Sequence, residues 1–332
     1  MARRKLSQQQ RHRIDDFVPD PTWQLGQVVA RFNKSVEIAS ATLASCISAP
    51  IPAKFQGAAQ ADDIVVGDWI YFDLDTEQIQ ARASRKTQLS RWRRNHSSTK
   101  TASRAFEKVV AANITQMCIV IAPVPEATRL VIDEYLLAAD MQGFKAILIS
   151  NKSDLIAKSN TEYQQVLADY AQLGVATIAT SATEPAPDLA VKSALCQALD
   201  NHTSIFIGTS GVGKSSLLNQ LTGEATAAVG EISAQAELGK HTTTTARLYT
   251  LASEMKIIDA PGIREFRLNQ ASIQELCHGY SDLYANGQCR YNNCTHREEP
   301  GCCVKEALAN GNALSWRYEN YLELYARLVD EY

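Results

Sequence analysis

The sequence contains no apolar run long enough to cross a lipid bilayer. The longest run, at residues 117–123, is far shorter than the roughly 20 residues that a membrane-spanning helix needs. The first 13 residues are basic and polar, and they lack the apolar segment of a secretory signal. We therefore expect a cytoplasmic protein without a membrane partner.

A strong net charge is also missing, since the formal charge at pH 7 is only −3. Positive charge is nevertheless concentrated in two places. Five basic residues precede Asp15 in the N-terminal arm, and residues 82–108 contain nine Lys or Arg residues and a single acid. Local positive charge favours phosphate contacts because counterions are released locally. A solvated surface would have the same composition, so charge alone leaves RNA binding open.

The eight cysteines lack the regular distribution of a disulfide-rich secreted chain, because four of them lie between residues 289 and 303. In a cytoplasmic protein such crowding indicates a metal. Three thiolates and an imidazole suit a closed, structural zinc site, and these ligands are Cys289, Cys294, His296 and Cys302. Cys303 and the pair Cys277-His278 are alternative ligands, and free cysteines near a surface histidine are the other interpretation.

The 332 residues suffice for several domains, each with its own core. Residues 1–22 form a basic arm of disordered composition. Short apolar stretches separated by turn residues predict a small β-barrel or sandwich in residues 23–108. Strands that alternate with amphipathic helices predict an α/β domain with a parallel sheet in residues 109–266. Residues 267–332 are cysteine-rich and helical.

A phosphate-binding loop follows the apolar run at residues 204–207. The pattern G-x-x-x-x-G-K-[ST] and the serine after it consist of Gly208, Thr209, Ser210, Gly211, Val212, Gly213, Lys214, Ser215 and Ser216. Such a loop directs successive backbone N–H groups at phosphate oxygens, at the start of a helix. We expect Lys214 to neutralise the β- and γ-phosphates and Ser215 to bind Mg²⁺.

A guanine-reading loop, N-K-x-D, lies earlier in the chain. Asn151, Lys152 and Asp154 form it directly after an apolar strand. The Asp154 carboxylate can accept hydrogen bonds from N1–H and from the exocyclic amine of guanine. Adenine offers neither donor, which disfavours an ATPase. Ser181-Ala182 matches the auxiliary loop whose backbone N–H meets guanine O6.

The remaining phosphate motifs follow the P-loop. Asp259 and Gly262 fit D-x-x-G, so Asp259 would hold Mg²⁺ through water and the Gly262 N–H would sense the γ-phosphate. Among the preceding threonines we favour Thr243 as the second hydroxyl ligand of Mg²⁺, with Thr242 and Thr244 as alternatives. Ile263 cannot orient the attacking water, so either His241 is catalytic or hydrolysis waits for a partner.

The order of these motifs is unusual, because the guanine-reading loops precede the phosphate-binding ones. All the loops leave the carboxyl edge of a parallel sheet, so moving the chain termini preserves the site. The sequence therefore predicts a circularly permuted GTPase domain. Its D-x-x-G switch continues directly into the C-terminal segment, which can receive the signal of the nucleotide state.

Together these features resemble the RsgA (YjeQ) family of small ribosomal subunit biogenesis GTPases. The resemblance covers most of the chain and also includes Gly67-Asp68, residues 85–91 and Asn113. It implies an N-terminal OB-fold, a permuted GTPase domain and a C-terminal zinc domain. It also implies binding to the small subunit and its rRNA, with hydrolysis of GTP to GDP stimulated by that subunit. Thr115 and Cys303 depart from the family pattern.

Two other functions fit the same motifs. One is a GTP-dependent switch whose partner is a protein, with the metal module as its docking surface. The other is an RNA-binding module in which GTP is only a structural ligand. We expect a monomer that binds Mg²⁺ with GTP and one structural zinc ion.

Overall fold

The computed structural model describes residues 18–43, 45–51, 56–57, 64–94, 105–156, 161–181, 189–228, 246–251, 254–259, 271–284 and 287–330. Two compact units divide the chain. The first draws on residues 1–115, 196–206 and 217–263, and the second on residues 116–195, 207–216 and 264–332. Within the described ranges, every helix is too short or too polar to span a membrane.

Six strands form the N-terminal part of the first unit. They are β1 (Gln24–Arg31), β2 (Ser35–Ala39), β3 (Ile47–Pro50), β4 (Gln56–Gly57), β5 (Trp69–Asp73) and β6 (Gln78–Arg82). β1 pairs antiparallel with β2 and β5, β2 with β3, and β5 with β6, while β4 runs parallel to β6. Alternate residues of β2 and β5 point into one core, as their period-two burial requires. The β-rich N-terminal region is thus confirmed, and its assignment as an OB-fold stays a prediction.

Five further strands complete the first unit. β7 (Gln88–Arg94) and β8 (Ala105–Ala112) form an antiparallel ribbon. β12 (Thr203–Ile207) runs parallel to β14 (Lys256–Asp259), which pairs antiparallel with β13 (Arg247–Thr250). β13 also pairs with β1 through Ala30 and Arg247. One sheet in this unit therefore joins an N-terminal strand to strands that lead into the nucleotide motifs.

The second unit contains a parallel sheet with helices. β9 (Gln116–Ile121), β10 (Lys145–Ser150) and β11 (Ala176–Ala179) are parallel, with β10 in the middle. Every residue of β9 is buried, as expected of a strand covered on both faces. The helices α1 (Arg129–Gln142) and α2 (Thr161–Gln172) follow β9 and β10. The predicted βα alternation is confirmed.

Two more helices flank β12 in the chain. α3 (Leu189–Leu199) precedes this strand, and α4 (Lys214–Ala228) follows it. The C-terminal part of the second unit contains α5 (Ile273–Gly279), α6 (Cys303–Ala309) and α7 (Ser315–Asp330). A capping box between Ser272 and Glu275 starts α5. Leu276, Tyr280 and Tyr321 pack with Leu137 of α1 in one core. The domain limits expected at residues 22, 108 and 266 stay predictions.

A buried ion-pair network fastens α7 to α1. The Asp133 carboxylate of α1 lies 2.5 Å from Arg317 Nη1 of α7, and both side chains are almost fully buried. Tyr170, Tyr280 and Asn320 donate further hydrogen bonds to the same carboxylate, at 2.7–3.1 Å. Since a buried charge is tolerated only when it is paired and hydrogen-bonded, these contacts hold the two helices in one arrangement.

Candidate nucleotide-binding and metal sites

The phosphate-binding loop has the strand–loop–helix setting that its sequence predicts. β12 ends at Ile207, and α4 begins at Lys214. A Cβ atom on Gly208 would lie 2.1 Å from the Val120 carbonyl oxygen, and one on Gly213 would lie 2.3 Å from Asn151 Nδ2. Both glycines also have positive φ angles, 147° and 90°. The loop therefore requires glycine at these two positions for space as well as for backbone conformation.

Lys214 lies across this loop. Its Nζ donates hydrogen bonds to the carbonyl oxygens of Gly208 and Thr209, both at 2.7 Å. Ser215 and Ser216 follow in the first turn of α4 and are exposed. The amino group and the start of the helix thus place positive charge and N–H donors together, which suits an anionic phosphate.

Asn151 connects the guanine-reading loop to the phosphate-binding loop. Its Nδ2 donates to the Val212 carbonyl oxygen at 2.8 Å, and its side chain is buried. Its Oδ1 accepts a hydrogen bond from Thr180 Oγ1 at 3.2 Å. The buried Asn151 side chain therefore links its own loop to the phosphate-binding loop and to the segment that precedes Ser181.

Lys152 makes a second connection between the same loops. It adopts a left-handed backbone conformation with φ 58°. Its Nζ donates to the carbonyl oxygens of Val124 and Gly211, at 2.8 and 2.7 Å. Asn151 and Lys152 thus fix the position of the N-K-x-D loop relative to the phosphate-binding loop.

Asp154 is the exposed member of the guanine-reading loop. Its Oδ1 accepts a hydrogen bond from Ser181 Oγ at 2.6 Å. The Ser153 N–H donates to the Thr180 carbonyl oxygen, which holds the two loops side by side. The carboxylate is thus oriented from one side and can accept further hydrogen bonds from a ligand. Ala182 lies outside the described residues.

Some of the other predicted nucleotide-binding residues lie within the described part of the chain, and others lie outside it. Asp259 ends β14 in the first unit and is partly buried. His241, Thr243 and Gly262 lie outside the described residues, so their roles stay predictions. Thr180 was not predicted, although its place directly before Ser181 could have indicated a contact with the guanine-reading loop.

The four predicted metal ligands lie together in the second unit. One donor atom from each of Cys289, Cys294, His296 and Cys302 falls within 4.8 Å of all the others. His296 Nδ1 lies 3.4 Å from Cys289 Sγ and 3.5 Å from Cys302 Sγ. Burial lowers the pKa of His296 and so favours the neutral imidazole that metal binding needs. Three soft sulfur donors and one nitrogen fit a tetrahedral metal ion.

The backbone around this cluster is held by hydrogen bonds from α7. Tyr318 and Tyr321 donate from their hydroxyls to the carbonyl oxygens of His296 and Thr295, both at 2.7 Å. Glu299 accepts from the Thr295 hydroxyl and from three backbone N–H groups. Burial alone raises the pKa of Glu299, but these hydrogen bonds lower it to about 2. The ligand loop is therefore shaped by α7 and by an ionised Glu299.

The two alternative metal ligands occupy different positions. Cys303 Sγ lies 3.2 Å from Cys289 Sγ but is not part of the four-donor cluster. Cys277 Sγ lies 3.4 Å from the Tyr321 hydroxyl. The geometry therefore favours Cys302 over Cys303 as the fourth ligand.

Part of the basic stretch at residues 82–108 is engaged inside the protein. Arg85 makes two hydrogen bonds to the carboxylate of the fully buried Asp68, at 2.6 and 2.7 Å. Arg82 lies 3.5 Å from the same carboxylate and is itself buried. These two arginines neutralise Asp68 after the Gly67 turn, so they do not belong to an exposed RNA-binding surface.

A P-loop tied by side chains to an N-K-x-D loop that precedes it in the chain defines a guanine-nucleotide-binding protein of permuted motif order. The RsgA GTPase family model matches residues 83–269. The small ribosomal subunit biogenesis GTPase RsgA of Chromohalobacter salexigens is 33% identical, and the alignment covers 97% of each protein. The chain belongs to the RsgA GTPase family, and it is a GTPase.

Solved structures agree with this assignment. The crystal structure of YjeQ from Thermotoga maritima matches with a TM-score of 0.70 and 28% identity, covering 92% of this chain and 99% of that one. The crystal structure of the circularly permuted GTPase YloQ also matches, with a TM-score of 0.70 and 20% identity. The match covers 95% of this chain and 99% of that one. The second likeness supports the fold alone.

The contact between Gly213 and Asn151 can be tested by substitution. Gly213→Ala would drive a methyl group into Asn151 Nδ2, whereas Gly211→Ala meets only Pro125, at 3.4 Å. Both glycines have φ near 90°, so the backbone strain is matched. We expect Gly213→Ala to weaken GDP binding about tenfold more than Gly211→Ala. Titration with a fluorescent GDP analogue measures this, and equal losses in both variants would contradict it.

Proposed function

We propose that this GTPase acts in late assembly of the small ribosomal subunit, that it binds rRNA there, and that the subunit stimulates its hydrolysis of GTP to GDP. The observation that carries the proposal is similarity over nearly the whole length to proteins named for that role, such as the one from Chromohalobacter salexigens. A ribosomal partner implies action in the cytoplasm. The domain limits proposed above would assign RNA binding to residues 23–108.

In this proposal the protein binds both the guanine base and the phosphates of the nucleotide. The exposed Asp154 carboxylate, oriented by Ser181, reads the guanine base. Lys214 and the N–H groups at the start of α4 bind the phosphates. Mg²⁺ bound to the phosphates would neutralise charge that develops during phosphoryl transfer. Ser215, Thr243 and Asp259 would hold it, Gly262 would sense the γ-phosphate, and His241 would orient the attacking water.

The Cys₃His cluster binds one structural zinc ion in this proposal. All four donors belong to the protein, so the site is closed and serves stability instead of catalysis. The ion would fix the ligand loop against Tyr318 and Tyr321 of α7. Since α7 is tied to α1 through Arg317 and Asp133, the zinc module would be rigidly connected to the guanine-reading half.

Sedimentation with purified ribosomal subunits tests the proposed partner. We expect the chain to bind small subunits better with a non-hydrolysable GTP analogue than with GDP. Binding should fall at least about tenfold between roughly 50 and 200 mM salt, because phosphate contacts release counterions. Purified large subunits are the control. Equal binding to both subunits, or salt-insensitive binding, would favour the alternative of a GTP-dependent switch with a protein partner.

A further inference from the structure

A fourth thiol lies against the metal cluster without belonging to it. Cys303 Sγ is 3.2 Å from Cys289 Sγ, while the other three ligands complete a four-donor set with Cys289. Cys303 is buried at the start of α6, and Cys289 is partly exposed. We propose that Cys289 and Cys303 are a peroxide-sensitive thiol pair, and that their oxidation to a disulfide releases the zinc ion.

The positions of the two sulfurs give each a separate role. Cys289 can be reached from solvent, so it is the thiolate that peroxide attacks first. Cys303 is shielded but already in contact with Cys289 Sγ, so it is placed to resolve the product. Cys294 and Cys302 are buried and engaged in the four-donor set, and neither has the combination of exposure and a spare neighbouring thiol.

The reaction balances with hydrogen peroxide as the oxidant. The Cys289 sulfur attacks one peroxide oxygen, the O–O bond breaks, and hydroxide leaves, which yields a sulfenic acid at Cys289. The Cys303 sulfur then attacks the Cys289 sulfur, the S–O bond breaks, and the hydroxyl leaves as water with the proton of the Cys303 thiol. Sulfur loses two electrons in total, and peroxide gains them.

Zinc release follows because a sulfur in a disulfide cannot act as a thiolate ligand. Three donors would remain where a closed site requires four. The ligand loop would lose the ion that holds it, while the hydrogen bonds that it accepts from Tyr318 and Tyr321 of α7 would remain. This inference rests on the zinc occupancy proposed above.

The first measurement is the zinc content of the reduced, full-length protein, which separates failure of the zinc proposal from failure of this one. We expect one zinc ion per chain in the natural sequence, in Cys303→Ser and in Cys277→Ser. The third protein is the matched control, because Cys277 lies nearby but contacts the Tyr321 hydroxyl. A Cys303→Ser protein without zinc would make Cys303 a ligand and overturn the inference.

The second measurement follows zinc release by hydrogen peroxide with a chromophoric chelator. After peroxide is removed, reductant and zinc should restore full occupancy in the natural sequence and in Cys277→Ser. In Cys303→Ser, Cys289 loses the thiol that lies in contact with it outside the four-donor set. More of the sulfenic acid at Cys289 should then oxidise further to the sulfinic acid, which reductant does not reverse. We expect recovery to fall about tenfold in this variant. Equal recovery in all three proteins would contradict the proposed pair.

Peptide mapping identifies the disulfide without relying on the Cys303 variant. In Cys277→Ser, the tryptic peptide that ends at Arg290 contains Cys289 as its single cysteine. The peptide of residues 298–305 contains both Cys302 and Cys303, which tandem fragmentation distinguishes. We expect a cross-link from Cys289 to Cys303. A dominant cross-link to Cys302 or to Cys294 would overturn the assignment.

Discussion

Asp154→Asn should weaken GTP binding about a hundred- to a thousandfold, the largest change in affinity that any single replacement in this site should produce. The Asp154 carboxylate is exposed and is oriented by a hydrogen bond from Ser181 Oγ at 2.6 Å. In asparagine, an NH₂ donor replaces one of the two acceptor oxygens of the carboxylate. This donor would face the N–H donors of guanine, so one hydrogen bond to the base would be lost. The same change lets the side chain pair with xanthine, whose O2 is an acceptor.

Calorimetric titration with GTP, XTP and ATP measures this change. We expect the variant to bind XTP better than GTP and to bind ATP no better than the natural sequence does. Ser181→Ala is the control, because it removes the orienting hydrogen bond and leaves the carboxylate. It should weaken GTP binding only about three- to tenfold. Unchanged guanine preference in Asp154→Asn would remove Asp154 from base recognition.

Arg317→Met should destabilise the second unit by about 3–5 kcal/mol, because it leaves the Asp133 carboxylate buried without its cation. Asp133 and Arg317 are 1% and 5% exposed. Three hydrogen bonds from Tyr170, Tyr280 and Asn320 would remain, but none of these groups carries a positive charge. The double variant Asp133→Leu with Arg317→Met should regain part of the loss, since it buries no unpaired charge.

Arg327→Met is a matched control on the same helix. Arg327 Nη1 lies 2.6 Å from Glu134 of α1, so it too connects α7 to α1, but its side chain is 51% exposed. Its loss should cost only about 0–1 kcal/mol. Urea unfolding, with hydrogen exchange of the α7 amides to locate the change, compares the variants. If the two arginine replacements lowered the free energy of unfolding equally, burial of the Asp133–Arg317 pair would not determine its contribution to stability.

Much of the fold could be predicted from local patterns. The alternation of strands and helices that the sequence predicts within residues 109–266 is seen in β9, α1, β10, α2 and β11. Such segments are predictable because burial imposes a clear period or an unbroken apolar run. The β7–β8 ribbon was not predicted as a pair, because residues 82–108 are dominated by charge and carry little period-two signal.

The residues that carry the chemistry of the site were more predictable than the hydrogen bonds and ion pairs that hold them in place. The metal donors and the phosphate loop follow from residue type and spacing, which chemistry restricts closely. The tie from Asn151 to Val212 could not be predicted, because it joins residues 61 positions apart. The same holds for the placement of Arg82 and Arg85 beside Asp68, because local positive charge left RNA binding open and the structure shows these two arginines paired with a buried carboxylate.

The structure also changes what the permuted order implies. From the sequence, the C-terminal segment receives the nucleotide signal because it follows the D-x-x-G switch in the chain. In the second unit, however, α7 is fastened to α1 of the guanine-reading half by Arg317 and Asp133. The C-terminal helices thus have a direct structural connection to the half that contains the N-K-x-D loop, in addition to their covalent connection to the D-x-x-G segment.

The rate of GTP hydrolysis, measured with and without purified small ribosomal subunits, shows whether this protein is a GTPase that the small subunit stimulates. We expect slow hydrolysis by the protein alone, because Ile263 cannot orient water, and a rate at least about tenfold higher with small subunits. Large subunits should leave the rate unchanged. Equal rates with and without small subunits would contradict the assignment as a GTPase of small-subunit assembly.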